Sequence, residues 1–350
     1  MKGRKVFAIH SILGLITGIL LLVISLSGCI LVFHEEIDNA LNPALLKVSP
    51  AASKISQDSI FKSASHQFPG SYIRFRKLPA RANHSLELSI QKQSSWTFAY
   101  YNLYTGEYLG NRNARSYFLG WLLSLHYSLL AGPAGELLTG ILSICLLLSL
   151  VTGVYVYRKH LIKVLMFRIS FRLSNWRKAS SSLHRIIGVW SLLFNLMFAI
   201  TGFWMLRYVF QPNASQEKTE PQNLNYKFSV SLDSLVQAAE TTFPGFQVSG
   251  ISLPKEKEER ITLYGSVSNQ ASLMSENANS IEFDSLTGKE AGRIDISKES
   301  NSTLWDAIVF PLHSGLWGNT IVKIIYCVAG LSPSVLSLTG FLLWLRKKAK

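Results

Sequence analysis

The stretch "LHRIIGVWSLLFNLMFAITG", from Leu183 to Gly202, decides the fold together with a matching stretch, "IHSILGLITGILLLVISLSG", from Ile9 to Gly28. Each has a histidine in second position, a glycine four residues after that histidine, and a small residue before the final glycine. Each is also apolar over the length of about 20 residues that crosses the hydrocarbon core of a bilayer. The two stretches therefore predict membrane-spanning helices that carry a histidine near one end.

Four nearly charge-free stretches occur along the chain, over residues 9–33, 134–157, 186–206 and 321–345. Each is about as long as a helix that spans a bilayer. The sequence therefore predicts a membrane protein with four spanning helices.

The positive charge of the chain indicates how these helices are oriented. The 35 Lys and Arg exceed the 21 Asp and Glu, and basic residues cluster in 1–5, 158–183 and 346–350. Lys and Arg beside spanning helices mark the cytoplasmic side. We therefore expect both termini and residues 158–183 in the cytoplasm, and residues 34–133 and 207–320 outside it. The excess of positive charge is then explained by the orientation of the protein in a lipid bilayer, its expected partner, and not by binding of nucleic acid.

The chain contains an internal repeat. His10 and His184 are 174 residues apart, and His126 and His313 are 187 residues apart. Short motifs such as "FPG" and "TG" recur in the same order, with offsets that grow only through loop insertions. Each half thus has a spanning helix, an outside module, an amphipathic helix with a histidine, and a second spanning helix. Two spanning helices per half predict two parallel repeats, related by an axis along the membrane normal.

The predicted organisation follows this repeat. Its parts are transmembrane helix 1 (1–33), the first module (34–115), an amphipathic helix with transmembrane helix 2 (116–157), a cytoplasmic loop (158–183), transmembrane helix 3 (184–210), the second module (211–302), and an amphipathic helix with transmembrane helix 4 and a cytoplasmic tail (303–350).

Each outside module is predicted to combine one helix with an antiparallel sheet. In the first, "SQDSIFKSASHQF" is helix-like, and "SYIRFRKL", "SLELSIQ" and "TFAYYNLY" alternate as strands. In the second, "SLDSLVQAAETTF" precedes the strands "FQVSGISL", "RITLYGSV" and "SIEFDSL". Residues 44–115 carry ten Lys and Arg against three acids, whereas residues 211–310 carry eight against fourteen. These charges favour packing between the modules or plain solvation, with a cleft for a charged ligand as the alternative.

The repeat separates four of the eight histidines from the rest. His10 and His184 begin the first and third spanning helices at the cytoplasmic side, and His126 and His313 precede the second and fourth at the outer side. Ionisable groups at such depths are functional candidates, and the two-fold relation brings each equivalent pair together across the bundle. Two facing imidazoles suit a six-coordinate haem b, so we predict these histidines as axial iron ligands of two haems.

Other interpretations of these residues stay open. A lone interfacial histidine is also explained by snorkelling or a hydrogen bond, whereas zinc is less favoured because no carboxylate or thiolate accompanies either pair. Gly14 and Gly188 would open a helix face to a flat macrocycle, although Gly14 and Gly18 also suit plain helix contact. Arg185 would meet a haem propionate or add one more cytoplasmic charge. The chain has no Cys-x-x-Cys-His motif, which excludes covalently attached c-type haem.

Longer motifs extend over nearly the whole chain: "LHRIIGVW" with "AITG", "FHEEIDNALNP", "LHYSLLAGPAGELLTGI", "TGVYVYRK" and "LHSGLWGNTIVKIIYCVAGL". With them the sequence resembles the PepSY-associated transmembrane family, in which bacterial inner-membrane siderophore-iron reductases occur. The resemblance implies four helices, two periplasmic PepSY-like modules, b-type haems, and an oxidoreductase that reduces a ferric siderophore so that ferrous iron is released. The chain departs from the pattern at Ser11, which stands where the third-helix motif has Arg185.

The implied reaction has a simple chemical basis. Siderophores hold ferric iron through hard oxygen donors, which bind ferrous iron less well, so one electron loosens the complex. The sequence shows no flavin or nicotinamide fingerprint, so we expect an external electron donor, either a cytoplasmic flavoprotein or a membrane quinol. The main alternative is a haem-free regulatory or assembly protein, because PepSY-like modules also resemble protein-binding inhibitors and sensors. A transporter is a third candidate, with Glu136 as the intramembrane acid available for coupling.

Overall fold

Residues 2–168, 174–211, 228–254 and 260–348 are described by the structure, a computed structural model. Parts of the predicted cytoplasmic loop and of the predicted second module lie outside these residues. The chain divides into two units, each of which combines segments from both halves of the sequence. The helical unit comprises Met1–His34, Trp121–Glu217 and Leu312–Lys350, and the sheet unit comprises Glu35–Gly120 and Lys218–Pro311.

The elements are numbered in chain order. The helices are α1 (Lys2–Leu31), α2 (His34–Leu41), α3 (Pro43–Leu46), α4 (Gln57–Gln67), α5 (Phe118–Ser128), α6 (Gly132–Tyr157), α7 (Leu161–Leu165), α8 (Trp176–Trp190), α9 (Leu192–Leu206), α10 (Leu232–Thr242), α11 (Asn301–Ser314), α12 (Thr320–Gly330) and α13 (Ser332–Lys348). The strands are β1 (Tyr72–Lys77), β2 (Leu86–Lys92), β3 (Ser95–Tyr101), β4 (Tyr108–Asn113), β5 (Phe246–Ser252), β6 (Ile261–Val267), β7 (Asn279–Phe283) and β8 (Glu290–Ile294).

Four helices in the described residues are long and apolar enough to cross a membrane, which confirms the predicted number. They cover Gly3–Leu31, Gly132–Tyr157, Leu192–Phe210 and Thr320–Leu345. Many of their large apolar side chains are exposed, as expected for surfaces that face lipid, and Ile16 is 71% exposed. Apolar side chains next to lipid satisfy a spanning helix, whose backbone groups are hydrogen-bonded within the helix itself.

The third spanning segment is predicted as one helix over residues 184–210, whereas the structure has two helices there, α8 and α9. Helix α8 begins earlier, at Trp176 inside the predicted loop, because the Asn175 side chain caps it by accepting a hydrogen bond from the backbone N–H of Lys178. The chain then breaks between α8 and α9 at Ser191, whose hydroxyl donates to the carbonyl of Ile187 at 2.7 Å. Such a bond to the preceding turn favours a bend in a helix.

The fourth spanning segment is also interrupted, at Leu331 between α12 and α13. Pro333 follows this point and cannot donate a backbone hydrogen bond, which prevents a regular helix through it. The two interruptions are joined by polar side chains. Asn195 is fully buried, donates to the Ser191 hydroxyl at 2.9 Å and accepts from the Ser332 hydroxyl at 3.1 Å. These bonds satisfy polar groups that the bilayer could not.

Helix α5 has an apolar exposed face. Phe118, Trp121 and Leu123 are among its exposed side chains, so the helix lacks the polar exposed face that an amphipathic helix would have. Leu119 and Leu122 are buried. A helix that is apolar on both its buried and its exposed faces is typical of a lipid surrounding.

The sheet unit contains one antiparallel sheet of eight strands in the order β4-β3-β2-β1-β5-β6-β7-β8. The predicted helices and the six predicted strands are confirmed as α4, α10, β1 to β3 and β5 to β7. The prediction of two separate sheets is wrong, because β1 pairs with β5 through Arg74 with Ser252 and Phe75 with Ile251. The outermost strands β4 and β8 were missed, since "YLGNRN" and "EAGRI" lack alternating apolar residues.

Helices α4 and α10 cover one face of this sheet. Ile60 and Ala64 of α4 and Leu232 and Leu235 of α10 join a single apolar core with the strands of both halves. On the opposite face a smaller cluster forms around Phe98 and Tyr100, which alternate along β3 with the core residues Ala99 and Tyr101.

Helices α4 and α10 cap each other. The Asp233 carboxylate accepts hydrogen bonds from the backbone N–H groups of Gln57 and Asp58 at 3.0 and 3.2 Å. The Asp58 carboxylate accepts from the Ser231 hydroxyl at 2.6 Å and the Leu232 N–H at 2.8 Å. Each acid thus stabilises the positive N-terminus of the helix in the other half.

Candidate metal centres

Two pairs of histidines face each other in the helical unit. The rings of His10 on α1 and His184 on α8 have centroids 6.3 Å apart and an interplanar angle of 81°. The rings of His126 on α5 and His313 on α11 have centroids 6.1 Å apart and an angle of 59°. We name them the first and second histidine pair. The structure thus brings together the four histidines that the repeat singles out.

His10 is held by the C-terminal part of α6. Its Nδ1 lies 3.0 Å from the carbonyl oxygen of Ser149 and 3.2 Å from Oγ1 of Thr152. The ring packs against Gly153, where a Cβ would lie 3.1 Å from Cε1 of the imidazole. A carbonyl oxygen only accepts hydrogen bonds, so Nδ1 carries the proton and Nε2 keeps its lone pair.

His126 is held in the same way by the C-terminal part of α1. Its Nδ1 lies 2.9 Å from the carbonyl oxygen of Ile24 and 3.3 Å from the hydroxyl of Ser27. A Cβ on Gly28 would lie only 2.8 Å from Cε1 of this ring. Contact this close requires a glycine at position 28, and the carbonyl again places the proton on Nδ1.

His184 and His313 have equivalent hydrogen-bond partners in the second half of the sequence. Nδ1 of His184 lies 2.9 Å from Oγ1 of Thr339, and Nδ1 of His313 lies 2.8 Å from Oγ1 of Thr201. A Cβ on Gly340 would lie 3.5 Å from Cε1 of His184. A Cβ on Gly202 would likewise lie 3.5 Å from Cε1 of His313. The His313 ring also meets Phe198, with centroids 5.7 Å apart.

The two pairs lie towards opposite ends of the helical unit. His10 is near the N-terminus of α1, whereas His126 is bonded to Ile24 on the same helix. Fourteen residues separate these positions, which corresponds to about 21 Å along an α-helix.

The geometry of both pairs suits a metal ion held by two imidazoles. A transition metal bonded to one nitrogen of each ring at about 2 Å would separate the ring centroids by about 6 Å. The observed separations of 6.3 and 6.1 Å match this value. Over the described ranges, no group of three or more His, Cys, Asp or Glu is placed to hold a metal ion. Haem iron, whose ring supplies four nitrogens, needs only two axial ligands from the protein.

The other predicted site residues contact the histidines less directly. A Cβ on Gly14 would meet nothing within 4 Å, so the α1 surface one turn beyond His10 is open. A Cβ on Gly188 would touch Leu336 at 3.6 Å, and one on Gly18 would touch Ser337 at 3.6 Å, so both glycines face α13. Arg185 is exposed and donates from Nε to the carbonyl of Ser181 at 2.9 Å.

Sequence reasoning missed the residues that hold the histidines. They are Ser27 with Gly28, Thr152 with Gly153, Thr201 with Gly202, and Thr339 with Gly340. The signal was present, because a hydroxyl residue followed by glycine occurs at the equivalent place in all four spanning segments. We used these pairs only as markers of the repeat, since nothing in the sequence shows which helix faces a given histidine.

The fold and these sites define a membrane protein whose helical unit contains four apolar helices and two histidine pairs, and whose other unit forms one antiparallel sheet. A family model described as the PepSY-associated TM region matches residues 7–347. The chain therefore belongs to the PepSY-associated transmembrane family, as the sequence motifs predicted. A comparison with curated proteins found no match.

Proposed function

We propose that this protein is a di-haem electron-transfer protein of the bacterial inner membrane that reduces a ferric siderophore in the periplasm. The observation that carries the proposal is the presence of two facing histidine pairs, at opposite ends of the helical unit, with centroid separations of 6.3 and 6.1 Å. Two imidazoles at this spacing would be able to hold the iron of a b-type haem between them.

The residues of the chain have distinct parts in this function. His10 and His184 would hold one haem, and His126 and His313 the other. When bound, each haem would supply a centre that accepts and donates single electrons. The hydrogen bonds that Nδ1 donates would orient the rings and raise the donor strength of Nε2.

The arrangement in the membrane follows from charge and from the repeat. The basic residues near the N-terminus and in residues 158–183 support a position of the first pair at the cytoplasmic side, where reducing power originates. The second pair then lies at the periplasmic side, both termini lie in the cytoplasm, and the sheet unit lies in the periplasm. The two halves are parallel repeats about an axis along the membrane normal.

The substrate and the electron donor are proposed by chemical class. Ferric iron held by hard oxygen donors loses affinity for them when it gains one electron, which releases it as ferrous iron. The donor is external, either a cytoplasmic flavoprotein or a membrane quinol, because the sequence lacks a fingerprint for a bound flavin or nicotinamide.

Haem content tests the proposal without any substrate. We expect the full-length protein, purified in detergent, to contain two haems b per chain in a pyridine haemochrome assay. Its reduced-minus-oxidised spectrum should show the sharp bands of six-coordinate low-spin haem. Folded protein without haem, isolated from cells that make haem freely, would refute the proposal and favour the haem-free regulatory or assembly role. One haem per chain would restrict the proposal to one of the two pairs.

The orientation has its own test. A reporter that is active only in the periplasm should be inactive when fused after Lys350 and active when inserted within residues 230–240. A cytoplasmic reporter at the same sites should give the opposite pattern. Activity of both fusions on the same side would contradict the proposed arrangement.

A further inference from the structure

We propose that Ser27, Thr152, Thr201 and Thr339 are positioning residues, whose hydroxyls fix the protonation of the four histidines so that each presents Nε2 as a metal ligand. This inference rests on the proposed function, because it concerns the strength with which the histidines bind haem iron. It assigns a role to the hydroxyl residue that precedes glycine at the equivalent place in each spanning segment.

The hydrogen bonds of the threonines leave one arrangement of protons. Thr201 donates its single hydroxyl proton to the carbonyl of Met197 at 2.6 Å, and Thr339 donates to the carbonyl of Val335 at 2.7 Å. Each oxygen can then only accept from the histidine nitrogen beside it. With the hydroxyl proton bound to the carbonyl, Nδ1 of His313 and of His184 carries the proton of the neutral ring, and Nε2 keeps the lone pair that a metal needs.

The first half has the same arrangement. The hydroxyl of Thr152 donates to the carbonyl of Leu148 at 2.7 Å, and that of Ser27 donates to the carbonyl of Val23 at 2.9 Å. Both oxygens face a histidine Nδ1 with their lone pairs. Four independent sites thus give the same tautomer, which chance contacts of a hydroxyl would not produce.

The four histidines do not depend equally on the hydroxyls. Nδ1 of His10 also bonds to the carbonyl of Ser149, as Nδ1 of His126 does to that of Ile24. In the described part of the chain, Thr201 is the sole hydrogen-bond partner of His313 Nδ1. Loss of the hydroxyl should therefore matter most at position 201 and least where a carbonyl remains.

The hydrogen bond also affects the electronic properties of the ligand. A donated Nδ1–H makes the imidazole a stronger base at Nε2, and loss of such outer partners typically weakens metal binding by about 10–100-fold. A stronger base stabilises the more highly charged ferric state. Removal of the Thr201 hydroxyl should therefore weaken haem binding at the second pair and raise the midpoint potential of that haem.

A set of three variants tests the inference on the full-length protein reconstituted with haem. Thr201→Val keeps the shape of the side chain and removes the hydroxyl, whereas Thr201→Ser keeps the hydroxyl and removes the methyl group. Thr17→Val is the matched control, because the hydroxyl of this buried threonine donates to the carbonyl of Leu13 in its own helix at 2.8 Å. The measurements are haem affinity, the midpoint potential of each haem, and the low-spin electron paramagnetic resonance signal. None of them depends on siderophore reduction.

We expect Thr201→Val to weaken one haem site about 10–100-fold and to raise its potential, with Thr201→Ser close to the wild type and Thr17→Val unchanged. Wild-type affinity and potential in Thr201→Val would overturn the inference and leave the proposed function intact. Equal losses in Thr201→Val and Thr201→Ser would also overturn it, because packing of the methyl group would then explain the effect. Wild-type protein without haem would instead refute the proposed function.

Discussion

A methyl group added at Gly28 should displace His126 and weaken one haem site. A Cβ at this position would lie 2.8 Å from Cε1 and 3.2 Å from Nδ1 of the His126 ring. The same change at Gly202, across the second histidine pair, would place a Cβ 3.5 Å from Cε1 of His313, which is ordinary van der Waals contact. We therefore expect Gly28→Ala to weaken haem binding, and Gly202→Ala is the matched control that should leave it unchanged.

The size of the effect follows from the distances. To reach ordinary contact at 3.4 Å, the His126 ring must retreat by about 0.6 Å from α1. The bond from Nδ1 to the Ile24 carbonyl, now 2.9 Å, would then lengthen to about 3.5 Å, beyond the usual range of hydrogen bonds. Forced displacement of this kind costs about 1–3 kcal/mol. Loss of the orienting bond adds a weakening of metal binding of about 10–100-fold.

Haem titration of the two purified variants measures this difference. Gly28→Ala should bind one haem normally and the other about 10–100-fold more weakly, whereas Gly202→Ala should bind both as the wild type does. Alanine favours helix more than glycine, so neither substitution should break a spanning helix, and size-exclusion chromatography checks that both variants are folded. Equal haem affinity in the two variants, or a greater loss in Gly202→Ala, would refute the reasoning.

Three further predictions concern the ligands and the sheet unit. His184→Ala and His313→Ala should each reduce the haem content from two to one per chain in a pyridine haemochrome assay, and loss of both haems from a folded variant would contradict independent sites. Arg112→Met should remove the guanidinium group that donates to the Asp38 carboxylate at 2.6 and 2.5 Å. The Arg112 and Asp38 side chains are only 10% and 14% exposed. The free energy of unfolding of the sheet unit should fall by about 3–5 kcal/mol, and a fall below about 1 kcal/mol in denaturant titrations would disprove this. Burial raises the pKa of Asp58, but the hydrogen bonds from Ser231 and Leu232 outweigh it and lower the pKa from 3.8. The stabilisation is therefore complete well above pH 3.8 and is lost as the pH falls through the lower, folded value, so thermal melts of Asp58→Asn should lose part of the acid sensitivity that the wild type shows.

The histidine pairs could be predicted from the sequence because the repeat supplies a long-range relation. His10 and His184 occupy equivalent places in the proposed parallel repeats, and a two-fold axis between such repeats would bring together equivalent residues that face it. The partners of each ring could not be predicted in this way. Thr152 is 142 residues from His10, and nothing in either local pattern states which face of α6 meets α1. Contacts between helices depend on rotations that hydrophobic patterning fixes only coarsely.

The sheet unit shows a different limit of prediction. Its six central strands contribute apolar side chains to the core between the sheet and the helices α4 and α10, and the apolar residues that recur along them are visible in the sequence. The edge strand β8 has no buried side chain, so its sequence "EAGRI" lacks the pattern. The pairing of β1 with β5 joins residues about 177 apart, as in Arg74 with Ser252, and backbone pairing leaves little trace in side-chain periodicity.

The two histidines of each pair come from different halves of the sequence. Each histidine pair takes one ring from each half, so neither half could hold a metal between two imidazoles alone. Each ring is nevertheless oriented within its own half: Thr152 holds His10, and Thr339 holds His184. Each ring is therefore hydrogen-bonded within its own half, while the ring that it faces comes from the other half. Two ligands held in this way would lose less conformational freedom on binding the proposed metal than two free side chains would.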